Sequence, residues 1–235
     1  MMTNLDHKIA ENLARVRQRI YQAAESAGRA ADDVQLVAVT KYVDASLAAV
    51  LLAGGCQVLG ESRPQQLWNK AADPQLNQAR WHLIGHLQRN KVQRTLPLVD
   101  LIHSVDSPRL LQAIDIAAAE QDRSARVLLE INCSGDQAKH GLTADGLKEI
   151  LAQLPTYSHV EVCGLMTMAA RKGGASTAAR NFAALRQLRD QVAPECPPDA
   201  RLTELSMGMS QDFEAAIREG ATLVRVGSLL FQGLG

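Results

Sequence analysis

A single closed (β/α)8 barrel is the fold class predicted for this chain, and three observations predict it. Eight short apolar runs of strand length alternate with helical patterns across the 235 residues, and eight parallel strands close such a barrel. No linker rich in Pro, Gly or Ser breaks the alternation, so residues 1–235 read as one domain. The runner-up is an open doubly wound sheet, but the G-x-G-x-x-G turn expected after its first strand is absent.

The first element is a helix over 5–27, where Ile9, Leu13, Val16 and Ile20 recur at spacings of three and four with polar residues between. Gly28 is its stop. The first strand spans 34–40 and delivers Lys41 at its end. Further strands are predicted over 57–60, 80–84, 101–105, 125–132, 160–168, 202–206 and 222–226. Helices fall between them at 46–53, 64–71, 89–96, 108–120, 144–154, 177–192 and 211–218. Asp106-Ser107-Pro108 reads as a cap followed by a proline in the first turn, and Ser210 as the cap of a helix starting at Gln211. Seven helices lie between eight strands, so the N-terminal helix is expected to fill the place of the eighth. The apolar segment 229–234 is expected to pack on that helix within one chain, and a monomer is predicted.

Hydrophobic residues make up 46% of the chain, ample for a large core, and Lys plus Arg equals Asp plus Glu at 25 each. Zero net charge argues against a nucleic-acid or anionic-membrane surface, which needs clustered positive charge. There is no run of membrane-spanning length, and 1–7 lacks a signal-peptide core, so a cytoplasmic location is expected. Cys56, Cys133, Cys163 and Cys196 are widely spaced, which predicts reduced core thiols rather than a zinc site or disulfides.

Barrels gather their chemistry at the C-terminal ends of the strands. Those ends carry Lys41, Glu61-Ser-Arg63, Gly85-His86, Ser104, Asn132, Thr167, Ser206 and Arg225-Val-Gly227. A lysine at the mouth of a buried strand is a candidate nucleophile, because desolvation frees its amine to attack a carbonyl. Ser206–Ser210 and Gly227-Ser228 supply hydroxyls, small residues and expected helix starts at Gln211 and Leu229, as phosphate binding requires. A carbonyl and a phosphate on one ligand suggest pyridoxal phosphate. Arg225 interrupts an apolar strand and needs a partner, either a carboxylate or a ligand heteroatom. Beside a pyridine nitrogen it would keep that atom unprotonated and weaken the ring as an electron sink. His82 and His86 are four apart, but on a strand and its following turn, so they share no face and no metal site is predicted. Lys139, in the polar loop 135–141, reads either as solvated or as reaching the barrel mouth.

The segments Ala38-Val-Thr-Lys41, Gly60-Glu-Ser-Arg63, Trp81-His-Leu-Ile-Gly-His-Leu-Gln-Arg-Asn-Lys91, Ser104-Val-Asp-Ser107, Gly164-Leu-Met-Thr167, Leu205-Ser-Met-Gly-Met-Ser-Gln-Asp-Phe213 and Val224-Arg-Val-Gly227 occur in that order. With them the chain closely resembles the YggS-type pyridoxal phosphate homeostasis proteins, also called PLP-binding proteins, over nearly everything after the first helix. The resemblance implies a barrel like the N-terminal domain of alanine racemase, of fold type III, with the cofactor on Lys41 as a Schiff base. It further implies that Ser206 and the Gly227-Ser228 turn hold the phosphate and that Arg225 faces the pyridine nitrogen. Met166 would lie near the ring, and Lys139 would be a transient or alternative contact. Two departures stand out: Ser62 replaces an Asn of many relatives, and Val43 replaces a second lysine that many carry.

Two-base racemisation needs an acid/base group on each face of the substrate carbon. In alanine racemase-like enzymes, the resemblance implies, the second base is a tyrosine supplied across a dimer. Tyr21, Tyr42 and Tyr157 fall in the first helix, beside Lys41 and before the sixth strand. Tyr42 is adjacent to Lys41, but successive residues at a strand end are expected to point apart. The leading expectation is therefore a non-catalytic pyridoxal phosphate carrier that takes part in intracellular homeostasis, with apo-enzymes as recipients. A weak amino-acid racemase and a Schiff-base aldolase are the alternatives.

Overall fold

Alternate residues of the first strand serve different cores. Val37 joins a small buried cluster with Val58, Leu101, Leu128, Cys163, Met166 and Leu223, whereas Ala38 joins the much larger core beneath the helices. Parallel strands buried on both faces read as continuous apolar runs, which is why this chain shows so little strand alternation. The computed structural model describes residues 3–135, 140–170, 172–197 and 200–234.

The predicted barrel is present. Eight parallel strands close in sequence order: β1 Gln35–Val39, β2 Val58–Glu61, β3 Arg80–Leu83, β4 Leu101–Val105, β5 Ala125–Glu130, β6 Val160–Met166, β7 Ala200–Met209 and β8 Leu223–Val226. Closure brings β8 beside β1, with Val37 opposite Arg225 and Ala38 opposite Val226. The helices are α1 Asn4–Ser26, α2 Ala45–Ala53, α3 Pro64–Ala71, α4 Val92–Thr95, α5 Pro108–Glu120, α6 Ala144–Gln153, α7 Gly174–Val192 and α8 Phe213–Arg218. No helix among the described residues is long and apolar enough to cross a membrane.

Helix α1 begins with a reciprocal cap: Thr3 Oγ1 accepts from the Asp6 amide, and Asp6 Oδ2 accepts from the Thr3 amide at 2.7 Å. Its buried stripe, Ile9, Leu13, Val16 and Ile20, is the one the sequence predicted. The helix packs against α8 and α2, filling the gap that a helix after β8 would occupy. Polar contacts pin it there. Arg19 Nε donates to Glu214 at 2.7 Å, Arg29 Nη1 donates to the carbonyls of Ile217 and Ala221, and Asn12 Nδ2 donates to the carbonyls of Leu230 and Gln232. Leu230 is fully buried in the same core, so the 229–234 segment docks on α1 as expected.

Four local expectations are corrected. The helix expected over 89–96 is only α4 flanked by 3-10 turns; Pro97, which cannot donate a helical hydrogen bond, sits in the second of them. Strand β7 runs on to Met209, past its expected end at 206, so α8 starts at Phe213 and Asp212 takes the N-cap position that was assigned to Ser210. Residues 228–233 form turns rather than a helix starting at Leu229. Strand β1 stops at Val39, which leaves Lys41 in a turn.

Candidate active site

The turn carrying Lys41 is held from below. Thr40 and Glu61, at the ends of neighbouring strands, are both fully buried, and Thr40 Oγ1 donates to Glu61 Oε1 at 2.8 Å. Lys70, from α3, donates to the same carboxylate oxygen at 2.5 Å and to the Thr40 carbonyl at 2.6 Å. A buried ion pair is retained only where hydrogen bonds complete it, and here one of the ammonium's donors goes to Glu61 and another to the residue before Lys41. Among the described residues, Glu61 Oε2 has no hydrogen-bond partner. Lys41 itself is half-buried, and its Nζ lies 4.8 Å from the centre of the Tyr42 ring. The expectation that these neighbours point apart is thus corrected: they occupy a turn, where strand alternation does not apply.

Across the β1–β8 seam lies Arg225, fully buried on β8. Its Nη1 donates to Ser206 Oγ and its Nη2 to the Thr167 carbonyl at 2.9 Å. Among the described residues no carboxylate lies within ion-pair distance of it; Glu130 and Asp212 act only at longer range. Burial pulls its pKa down to about 10, against the partial support of those two carboxylates. Glu130 is pushed above the usual carboxylate range by burial and by Asp106, with Arg225 and His140 opposing.

Behind Arg225 a buried polar chain crosses the barrel. Ser206 Oγ is 2.8 Å from His103 Nδ1, and His103 Nε2 is 3.0 Å from His82 Nδ1. Desolvation drives the His82 pKa down to about 3 and that of His103 well below its ordinary value, so both rings are neutral at pH 7. Arg225 can only donate, so Ser206 Oγ accepts from it.

The two small-residue turns meet at the rim. Gly208 has φ +90°, and a Cβ there would stand 2.8 Å from Phe213 Cα, so the bend after it requires glycine. Asp212 Oδ1 accepts from the Met209 amide at 2.6 Å, and Ser210 Oγ accepts from the Gly227 amide at 3.2 Å. Ser210 therefore ties one turn to the other instead of capping α8.

Of the residues singled out from sequence, Arg225 and Ser206 are in direct contact, and Gly227 abuts Val39, two residues before Lys41. Ser228 is exposed at the rim, and Met166 lies in the interior cluster beneath. Lys139 lies outside the described residues. His82 and His86 do not meet: one is buried in the barrel, and the other has a half-exposed side chain on the following loop. Sequence reasoning missed His103, Glu130 and the Glu61–Lys70 pair. The signal that flagged Arg225, a polar residue inside an apolar strand, is equally present in Leu101-Ile-His-Ser-Val105 and Val127-Leu-Leu-Glu130.

A closed barrel with a lysine after its first strand and a buried arginine on its last defines the class of alanine racemase N-terminal-type barrels. Consistent with that, the family model described as "Alanine racemase, N-terminal domain" matches residues 8–234. At 17% identity, the alanine racemase of Corynebacterium glutamicum superposes with a TM-score of 0.73, covering 96% of this chain and 61% of that one, a likeness of fold alone. Nearer relatives narrow the class. The pyridoxal phosphate homeostasis protein of Aquifex aeolicus (strain VF5) is 38% identical over 221 residues, 94% of this chain and 96% of the relative. PipY of Synechococcus elongatus PCC7942, solved with PLP bound, is 36% identical with a TM-score of 0.84, covering 95% of this chain and 99% of that one. The chain belongs to the pyridoxal phosphate homeostasis protein family.

Proposed function

We propose that this chain binds pyridoxal 5′-phosphate through Lys41 and serves the intracellular supply of that cofactor, in the cytoplasm, without turning over a substrate. The observation that carries the reading is Arg225. A buried guanidinium whose hydrogen-bonded partners are a hydroxyl and a carbonyl, with no carboxylate within ion-pair distance among the described residues, is costly unless a ligand shares its surroundings. Kinship with a protein solved with PLP bound supports the choice of ligand.

The donor set fits the group. When bound, pyridoxal phosphate supplies an aldehyde, with which a lysine amine condenses with loss of one water, and a phosphate that seeks amide and hydroxyl donors. Lys41 provides the amine, on a turn held by Lys70 and Glu61. Ser206, within the 206–210 segment, and Gly227-Ser228 would hold the phosphate, with Ser206 Oγ also accepting from Arg225. Arg225 would hold the pyridine nitrogen side and keep that atom unprotonated, and Met166 would line the floor beneath.

Visible absorption of the purified, cofactor-loaded protein tests this reading. A yellow chromophore fixed by borohydride to Lys41, located by peptide mass and absent in Lys41→Ala, is expected. A protein that cannot be reconstituted, or that fixes the cofactor elsewhere, overturns it. One observation favours a second reading, slow amino-acid racemisation: the Tyr42 ring lies against the Lys41 amine. Robust racemisation by the loaded protein, lost in Tyr42→Phe, would replace the carrier reading.

A further inference from the structure

On the rim formed by the loops after β3, β4 and β5, three metal-ligand side chains converge. His86 Nδ1 and His140 Nδ1 each lie 3.5 Å from the same oxygen, Asp106 Oδ2, and one ligand atom of each residue falls within 4.8 Å of the others. At 3.5 Å neither histidine makes a good hydrogen bond to the carboxylate. The three groups instead surround a shared point. Tetrahedral coordination with bonds of about 2.0–2.1 Å sets neighbouring ligand atoms about 3.3 Å apart. Each imidazole lies near that distance from the carboxylate, while the three ligand atoms together span up to 4.8 Å, so an ion would draw the two exposed histidines inward.

We propose that His86, Asp106 and His140 form a binding site for one divalent transition-metal ion of the zinc class. Two imidazoles and one carboxylate are a donor set suited to Zn2+ or Co2+ rather than to Ca2+ or Mg2+, which prefer all-oxygen sites. The carboxylate is already oriented, because Ser107 Oγ donates to Asp106 Oδ1 at 3.2 Å and leaves Oδ2 turned to the histidines. Buried Glu130 lies near enough to interact electrostatically with both Asp106 and His140, adding negative charge that favours a cation.

The two imidazole rings stack with centroids 5.0 Å apart. His86 and Asp106 also line a cleft of about 630 Å3. Three protein ligands leave a position for water or an anionic oxygen. Chain spacing predicts no metal here, because each ligand comes from a different loop.

The test is titration of the untagged, metal-stripped full chain with Co2+, followed by displacement with Zn2+, read by calorimetry and visible absorption. One equivalent is expected to bind, with the intense d–d bands of tetrahedral Co2+ and no thiolate charge-transfer band. His86→Ala and His140→Ala should each weaken binding at least tenfold, Asp106→Asn likewise. His159→Ala should leave it unchanged, since His159 pairs with Asp115 at 4.0 Å without a third ligand. Circular dichroism checks that each variant is folded. Absence of saturable binding, a thiolate band, or affinity unchanged in a folded His86→Ala/His140→Ala double variant would overturn the site.

Discussion

The ammonium of Lys70 donates to the carbonyl of Thr40 at 2.6 Å, so a helix on the outside of the barrel grips the backbone immediately before Lys41. The same ammonium neutralises buried Glu61, which makes the grip a coupled unit.

That coupling predicts a specific mutant pattern. Lys70→Ala leaves Glu61 buried and uncompensated and is expected to cost about 3–5 kcal/mol of stability. Lys70→Met combined with Glu61→Leu should recover most of that loss. Urea unfolding of the two single variants and the double one measures it, and simple additivity would show that the pair is not coupled. Cofactor affinity should fall even in the stable double variant, because the Thr40 carbonyl has lost its donor.

Stability should fall on mild acidification, before ordinary carboxylates titrate. The native His82 pKa is depressed to about 3, whereas an unfolded histidine titrates near about 6.5. Between those values the unfolded chain binds the proton and the native one does not, so stability rises with pH across that window and is lost as pH drops through it. His103 adds in the same direction. Thermal melts at pH 7, 6 and 5 should show a progressive decline that is shallower in a folded His82→Gln variant.

Replacing Arg225 should separate stability from binding. Arg225→Met removes a buried charge that has no carboxylate within ion-pair distance among the described residues, but it leaves Ser206 and the Thr167 carbonyl without their donor. These opposing effects are each a few kcal/mol, so unfolding of the cofactor-free protein is expected to change little. Pyridoxal phosphate affinity should drop about tenfold or more, equivalent to about 1.4 kcal/mol. Equal affinity for wild type and variant, by fluorescence titration, would remove Arg225 from the site.

Gly208→Ala should damage the rim of the site directly. The backbone at φ +90° disfavours any side chain, and the new Cβ would meet Phe213 and Ala216 at 2.8 and 2.6 Å. A loss of about 1–3 kcal/mol is expected from the backbone strain. Thermal melting measures it, and weaker cofactor retention should accompany it.

Much of the architecture was legible in local pattern. Ile9, Leu13, Val16 and Ile20 form a stripe that any helical period exposes, and the barrel followed from counting alternating elements. Element ends were less legible. Gly208 reads as a turn residue, yet β7 continues through it, because its positive φ bends the strand locally without ending it. In the site, Lys41 and Arg225 announced themselves as charges at or inside apolar strands. His103 carried the same signal, but its meaning depends on Ser206, 103 residues away.

By itself the sequence determined that eight strands alternating with helices close one barrel and that a lysine follows the first strand. Both are local properties, set by hydrophobic period and strand-end chemistry. Only the tertiary structure decided which polar groups face one another: His103 with Ser206, Lys70 with Thr40, His86 and His140 with Asp106. The pairings across the barrel depend on ring closure, and the strands from β4 to β8 carry register shifts between each neighbouring pair. Strands buried on both faces carry no alternation that encodes such shifts, so the partners across the barrel become visible only when it is closed.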